Sequence, residues 1–526
     1  MKGLIRLLRH YSRILTGPQF LLLNLALGAG HFLVLLNAGA YLPMMPYVAA
    51  DMGVGIQYAV WGQSDYFTAM GAALLIANPL MRRFGPKNTA IFAYLLFSAA
   101  SFTALQTVSV FPLYITVRII QGFAAGICII PSFFLLLEYY HKGRQKTATS
   151  LWSLAQFVPF SIGPALGGWF AYVWGDWRLL FVASSIIALF VALVLWALLA
   201  DWEDEIDRSV RLLEQLALFI VFFAAVLALQ GFFDVGLLSD LTSRMTELSW
   251  LLFASMLLAW LFWVGNATVK EPLLRVSLFV HPNYAYGMLL LSIAFMGFQG
   301  AVVQYIIRLQ LVEGYTAWHV GLLFLPVFVF SKPLSLLAQS LIQKNLDPRI
   351  LASAAFAMLG FGFWWMSGYV RPATWETLLA PQFLLGAALG FLFVSMTAIT
   401  LSHVPKSEQM HAVNVLNTVR NLAAGLAITF SDIGWDWLLA AEKNRLVSPD
   451  TANARRYAEF FDMPDATHRL HEKIIQQASW LTFNDFYQLL AMLFVVLAVC
   501  VWLARPALPV KHDADMRIFE NLGEEP

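Results

Sequence analysis

The sequence predicts an all-α polytopic membrane protein of 14 transmembrane helices, and three observations predict it. Of 526 residues, 60% are hydrophobic and only 12% are charged, with a mean hydropathy of +0.68, whereas a soluble domain carries about 25% charged residues. The apolar residues gather into runs of about 20, the length that crosses a hydrocarbon core of ~30 Å. In that medium backbone polar groups must be satisfied within each segment, which selects helices over an open sheet. A net charge of +1 lacks the basic surface that nucleic acid requires. The two cysteines, Cys128 and Cys500, stand in apolar stretches and offer neither a disulfide framework nor a metal cluster.

Residues 1–17 set Arg6, Arg9 and Arg13 on one face and Leu4, Leu8, Tyr11 and Leu15 on another, which suits an uncleaved cytoplasmic amphipathic helix at the membrane surface. Spanning segments follow near 19–42, 58–80, 88–107, 110–137, 146–172 and 177–200, then 211–232 and 248–268, then 284–310, 318–341, 349–370, 376–402, 408–434 and 483–504. The division is a six-helix bundle at 18–200, an inserted helix pair with its linkers at 201–283, a second six-helix bundle at 284–504 and a tail at 505–526. A weak internal repeat supports it: Ala77-Asn-Pro-Leu80 with Arg83 after the second helix has the shape of Ala338-Gln-Ser-Leu341 with Lys344 after the tenth. Twenty Lys and Arg fall in loops and tails on the amino-terminal side, against Arg178, Arg244, Arg308 and Arg371 in the short loops opposite. Both termini are therefore expected in the cytoplasm, with the long polar loop at about 435–482 outside.

A cation at membrane depth costs roughly 2.5–3.5 kcal/mol on insertion scales, so Arg118 in the fourth helix calls for a cavity or a charge partner. Asp65 lies about 10 Å into the second helix at ~1.5 Å per residue, a depth similar to that of Arg118. An Asp65–Arg118 pair has two readings: a protonatable carboxylate whose affinity depends on its neighbour, or a static pair fixing helix register. A third places Asp65 at the outer mouth without a partner. Asn37 and His31 stand in the first helix, and a lone His31 fits a hydrogen-bonded structural role better than a proton carrier. Gln121 follows Arg118 by one turn. In the second half Lys332 and Arg420 are buried cations, and Gln299 and Gln304 with Asn414 and Asn417 add amides whose one-sided clustering favours a cavity. The expected substrate cavity comprises His31, Asn37, Gln121, Gln299, Gln304, Asn417 and Arg420; the alternative for the amides is simple helix bridging. Pro159, Gly163, Pro164, Gly167 and Gly168 in the fifth helix permit close helix approach and bending, either as tight packing or as a hinge. His468 and His471 have helical ligand spacing with no third ligand, so no metal site is expected. Paired catalytic carboxylates and a nucleophile elbow are missing, which argues against an enzyme.

With these residues in place the chain resembles the fourteen-helix drug:proton antiporters of the major facilitator superfamily, and among them the inner-membrane pumps of tripartite efflux systems. Arg118, Gln121, Gly122 and Gly126 match the family's fourth-helix motif; Gly163, Pro164, Gly167 and Gly168 match the fifth-helix antiporter motif; Arg83 and Gly85 match the second-to-third loop motif. Trp61, Ser277, Pro381, Gln382, Gly386, Asn417 and Arg420 agree further. The chain departs from the pattern where Asn37 replaces the first-helix acid, where Asn78 and Arg82 replace a glycine and an aspartate, and at Pro159. The resemblance implies proton-coupled export by alternating access across a bacterial inner membrane, driven by the proton gradient without a cofactor. Its substrate would be an amphipathic small molecule, a drug or an endogenous metabolite such as a siderophore. It also implies a periplasmic adaptor and an outer-membrane channel, with the 435–482 loop as a docking surface. Since Asn37 carries no proton, Asp65 with Arg118 is the substitute coupling site. The alternative is a transporter-like sensor or partner-binding subunit that has lost coupling.

Overall fold

A computed structural model describes residues 15–107, 110–140, 158–159, 162–200, 211–238, 245–369, 374–461 and 466–507. The expected amphipathic segment up to residue 14, the start of the fifth helix and the tail from 508 lie outside the described residues. The described chain is helical, without strands: α1 (Gly17–Met52), α2 (Ile56–Phe84), α3 (Pro86–Ala104), α4 (Phe111–Tyr139), α5 (162–173), α6 (Leu179–Leu198), α7 (Leu212–Leu238), α8 (Met245–Thr268), α9 (Pro282–Leu311), α10 (Ala317–Gln343), α11 (Pro348–Ser367), α12 (Trp375–Leu401), α13 (Gln409–Phe461) and α14 (Ala466–Cys500). Fourteen transmembrane helices were expected, and the described residues form fourteen helices. Among the described residues, ten of them are long and apolar enough to cross a membrane.

Several boundaries differ from the sequence reading for identifiable reasons. α1 runs ten residues further, through Pro43 and Pro46, to a left-handed cap at Gly53 (φ +65°); proline is tolerated inside membrane helices because neighbouring groups satisfy the freed carbonyls. α10 breaks at Phe324, just ahead of Pro326, which has no N–H to continue the ladder. The 435–482 segment is not an irregular loop. α13 continues as a helix to Phe461 and α14 begins at Ala466. At ~1.5 Å per residue α13 is about 80 Å long against a core of ~30 Å, so its far half projects well beyond the bilayer.

Packing follows the chain order in two groups. α2 lies on α4, α4 on α3, α3 on α6 and α6 on α1; in the second group α10 lies on α12, α12 on α11, α11 on α14 and α9 on α13. The groups meet through α2 against α13, and α7 packs on both of these as well as on α8. The loop repeat has a structural counterpart: α2 ends at Gly85 (φ +82°) before Pro86, and α10 is followed by Asn345 (φ +65°) before Pro348.

Candidate functional site

Arg118 is fully buried, and none of the ion pairs among the described residues includes it. Its guanidinium is held by dipoles and rings. Nε donates to the Gly62 carbonyl at 3.0 Å, and the two terminal nitrogens donate to Gln121 Oε1 at 2.6 Å and Gln63 Oε1 at 3.3 Å. The Tyr41 and Tyr66 ring centroids lie 4.4 and 4.6 Å from Cζ, within cation–π range. Gln121 Nε2 donates onward to Ser101 Oγ at 2.8 Å and to Asn37 Oδ1 at 3.5 Å, and Asn37 Nδ2 donates to Ser184 Oγ at 2.8 Å. Gln63 Nε2 reaches the Ala38 carbonyl at 2.5 Å. One neutral network therefore joins α1, α2, α3, α4 and α6 around one buried cation. α4 can sit this close to α2 because a Cβ at Gly122 or Gly126 would collide with the Tyr66 or Met70 carbonyl.

Among the described residues Asp65 makes no hydrogen bond or ion pair with Arg118. Gly62, Gln63 and Tyr66 face the guanidinium, and at ~100° per residue Asp65 lies roughly 100° round α2 from their mean direction. Equal depth gave height without azimuth. Asp65 is 7% exposed, and its electrostatic neighbours are Asp234 of α7 and Arg118. Asn37 and Gln121 do join Arg118, as members of its network. His31 is buried on α1 about two turns before Asn37.

In the second half Gln299 and Gln304 are buried on α9. Arg420 of α13 lies 5.4 Å from the Phe295 ring centroid and 5.9 Å from that of Phe393, with Asn417 partly exposed one turn earlier. Sequence reasoning missed three features here. Arg308, counted as an outer-loop cation, is 2% exposed, 3.2 Å from the Glu313 carboxylate and beneath Trp480 and Phe483. The ligands of Arg118 on α2, Gly62 and Gln63, and the supporting serines Ser101 of α3 and Ser184 of α6 were not singled out. Asp234 and Asp432, buried on α7 and α13, went unremarked, although a carboxylate at the end of an apolar run is itself a signal.

The fifth-helix motif lies between the two groups. A Cβ on Gly167 would strike the Ala40 carbonyl of α1, and one on Gly168 the Ala317 carbonyl of α10; Gly321 of α10 approaches the Pro164 carbonyl equally closely. Pro159 and Gly163 lie against Gly39. Arg83 is half-buried where α2 ends at Gly85, beside Arg82, which is paired with Glu271 at 2.9 Å.

Residues 27–428 match the sequence profile of the Major Facilitator Superfamily. This chain belongs to that superfamily. It is a multi-pass membrane transporter and not an enzyme. Among superfamily relatives it is 28% identical to the multidrug export protein EmrB of Haemophilus influenzae over 510 residues, covering 95% of this chain and 98% of the relative. It is 26% identical to the fatty acid resistance protein FarB of Neisseria gonorrhoeae, covering 94% and 97%. Among solved superfamily structures, a bacterial homologue of the human lysosomal transporter Spinster, inward-facing and occupied, superposes with a TM-score of 0.61 at 12% identity, covering 93% of this chain and 97% of that one. A D-xylose–proton symporter does so with a TM-score of 0.55 at 15% identity, covering 93% and 97%. These two likenesses concern the fold.

Proposed function

We propose that this transporter exports amphipathic, largely apolar small molecules from the cytoplasm in exchange for protons, by alternating access of its two six-helix groups across a bacterial inner membrane, with both termini cytoplasmic. The observation that carries this reading is the glycine seam of α5, which touches α1 in its own group and α10 in the other at backbone distance, where a rocking motion needs a smooth, side-chain-free contact. The full-length likeness to proteins named for multidrug export and fatty acid resistance supports an apolar substrate class. Phe295 and Phe393 around Arg420 supply aromatic surface beside a cation, which suits amphipathic molecules. Asp65 carries the coupled proton, with Arg118 as a fixed cation in the adjacent network. The α13–α14 projection is the docking surface for a periplasmic adaptor that leads to an outer-membrane channel.

A substrate screen in an efflux-deficient host, comparing wild type with Asp65→Asn and Arg118→Ala, tests the reading. Resistance conferred by wild type and lost in both variants supports it; export by Asp65→Asn equal to wild type across pH removes Asp65 from the coupling role. A second reading, a sensor or partner-binding subunit without coupling, is favoured by the neutral partners that surround Arg118 where an acid stands in relatives of the resembled type. It predicts no proton release from the purified protein with any ligand of the screen.

A further inference from the structure

The inserted helix α7 brings a carboxylate to the junction of the two groups. Asp234 is 5% exposed, and its Oδ1 accepts from Thr429 Oγ1 of α13 at 2.8 Å. Gln230 Nε2, one turn back on α7, donates to both Asp234 oxygens at 3.2 and 3.4 Å and to Thr429 Oγ1 at 2.6 Å. The Phe233 and Phe430 rings, 4.6 Å apart, fasten α7 to α13 beside this contact. Asp65 of α2 and Asp432 of α13 are electrostatic neighbours of Asp234, and Asp436, a turn further along α13 and partly exposed, acts in turn on Asp432. Among the described residues α8, packed on the other side of α7, adds no charged group acting on Asp234, and no cation is paired with Asp65, Asp234 or Asp432.

A second observation concerns the amides around the acids. Gln230 is 1% exposed, and its Oε1 has no hydrogen-bond donor among the described residues; Gln304 of α9, also 1% exposed, is turned toward Asp432. An amide presents a donor at one end and an acceptor at the other, so a half-turn of Gln230 exchanges Nε2, which suits a carboxylate, for Oε1, which suits a carboxylic acid. The site has a ready partner for either state of Asp234.

We propose that Asp234 is a second proton-carrying carboxylate and that α7 is thereby part of the coupling machinery, passing protons from Asp436 and Asp432 of the second group to Asp65 of the first. This rests on the proton-exchange reading above and extends it. In each step one O–H bond breaks on the donor carboxyl as another forms on the acceptor, and the negative charge moves the opposite way. Asp234 acts electrostatically on both Asp65 and Asp432, and buried carboxylates that act on one another repel when ionised together, so protons on them are shared property. With the amino terminus cytoplasmic, Asp234 and Asp432 each lie about 33 Å along their outward-running helices, near the outer surface where an exporter takes up its proton.

The test uses the full-length protein. In purified protein the infrared band of protonated carboxyls, followed across pH, is expected to weaken in Asp234→Asn and to titrate at a different pH for the carboxyls that remain. Thr429→Val, which removes the hydroxyl donor to Asp234, is expected to shift the titration without removing a carboxyl, and it stands in if Asp234→Asn does not fold. A titration unchanged in both variants overturns the proposal. In proteoliposomes with ethidium as probe, Asp234→Asn should lose pH-gradient-driven transport by about tenfold or more while substrate exchange without a gradient persists, and Asp234→Glu should retain both. Driven transport by Asp234→Asn at the wild-type rate overturns the proposal too. If wild type itself ignores the gradient, the proton-exchange reading fails, and the infrared titration still decides whether the acids share protons.

Discussion

Arg118 illustrates how a membrane protein holds a charge without a counter-charge. Three oxygen acceptors and two tyrosine rings surround the guanidinium, and the two amide acceptors are each oriented by a further bond: Gln121 by Ser101 and Asn37, Gln63 by the Ala38 carbonyl. Removing one member strands the others at roughly 1–3 kcal/mol per buried unsatisfied group. Gln121→Ala is therefore expected to lower the melting temperature of the purified protein, and Arg118→Lys to fall below wild type because an ammonium cannot span the acceptors of a planar fork. Asn37 offers a sharper comparison. Asn37→Asp places a carboxylate beside a network whose cation has no acidic partner, and its melting temperature should stay near wild type. Asn37→Leu removes one hydrogen bond each from Ser184 and Gln121, which keep the Leu180 carbonyl and Ser101, and a loss of about 1 kcal/mol is expected.

At the scale of elements, close backbone contact decides which helices meet. Gly168 approaches the Ala317 carbonyl so closely that a methyl group must part α5 from α10, whereas Gly28 on α1 has no atom within 4 Å of an added Cβ. Gly168→Ala is expected to cost roughly 1–3 kcal/mol as overpacking and to slow transport in vesicles; Gly28→Ala should change neither. These glycines were legible in the sequence as a motif, but the contacted backbone was not, since a glycine pattern states that something comes close without naming it. The same limit applies to the 435–482 segment. Its charge content indicated exposure to water, and the helices that α13 and α14 build there carry no apolar spanning signal for a hydropathy reading to find. Likewise α7 reads as an apolar run to be filled with lipid-facing side chains, and only its placement on α2 and α13 gives Asp234 neighbours.

Across the whole molecule, the two groups, the bridging α7 and the distribution of cations define two ends that differ chemically. At one end Asp51 of α1 accepts from Trp177 Nε1 at 2.9 Å and from Arg178 at 3.1 Å; at the other Arg82 is paired with Glu271 at 2.9 Å and Lys87 Nζ donates to the Leu199 carbonyl at 2.6 Å. Cytoplasmic termini predict that an impermeant thiol reagent labels Gly55→Cys in intact cells and Lys344→Cys only after permeabilisation, in a Cys500→Ser background. The reverse pattern inverts the molecule. The class and the family motifs around Arg118 and Gly163 were determined by the sequence alone, because apolar length and local residue spacing are one-dimensional quantities that the membrane reads directly. Depth along a helix is also one-dimensional, and it set Asp65 and Arg118 at the same level. Rotation about the helix axis and the choice of neighbour are not, because they depend on how all fourteen helices fill space together. Tertiary packing alone turned Arg118 toward Gly62, Gln63 and Gln121 and placed Asp65 with Asp234 and Asp432 at the junction of the two groups.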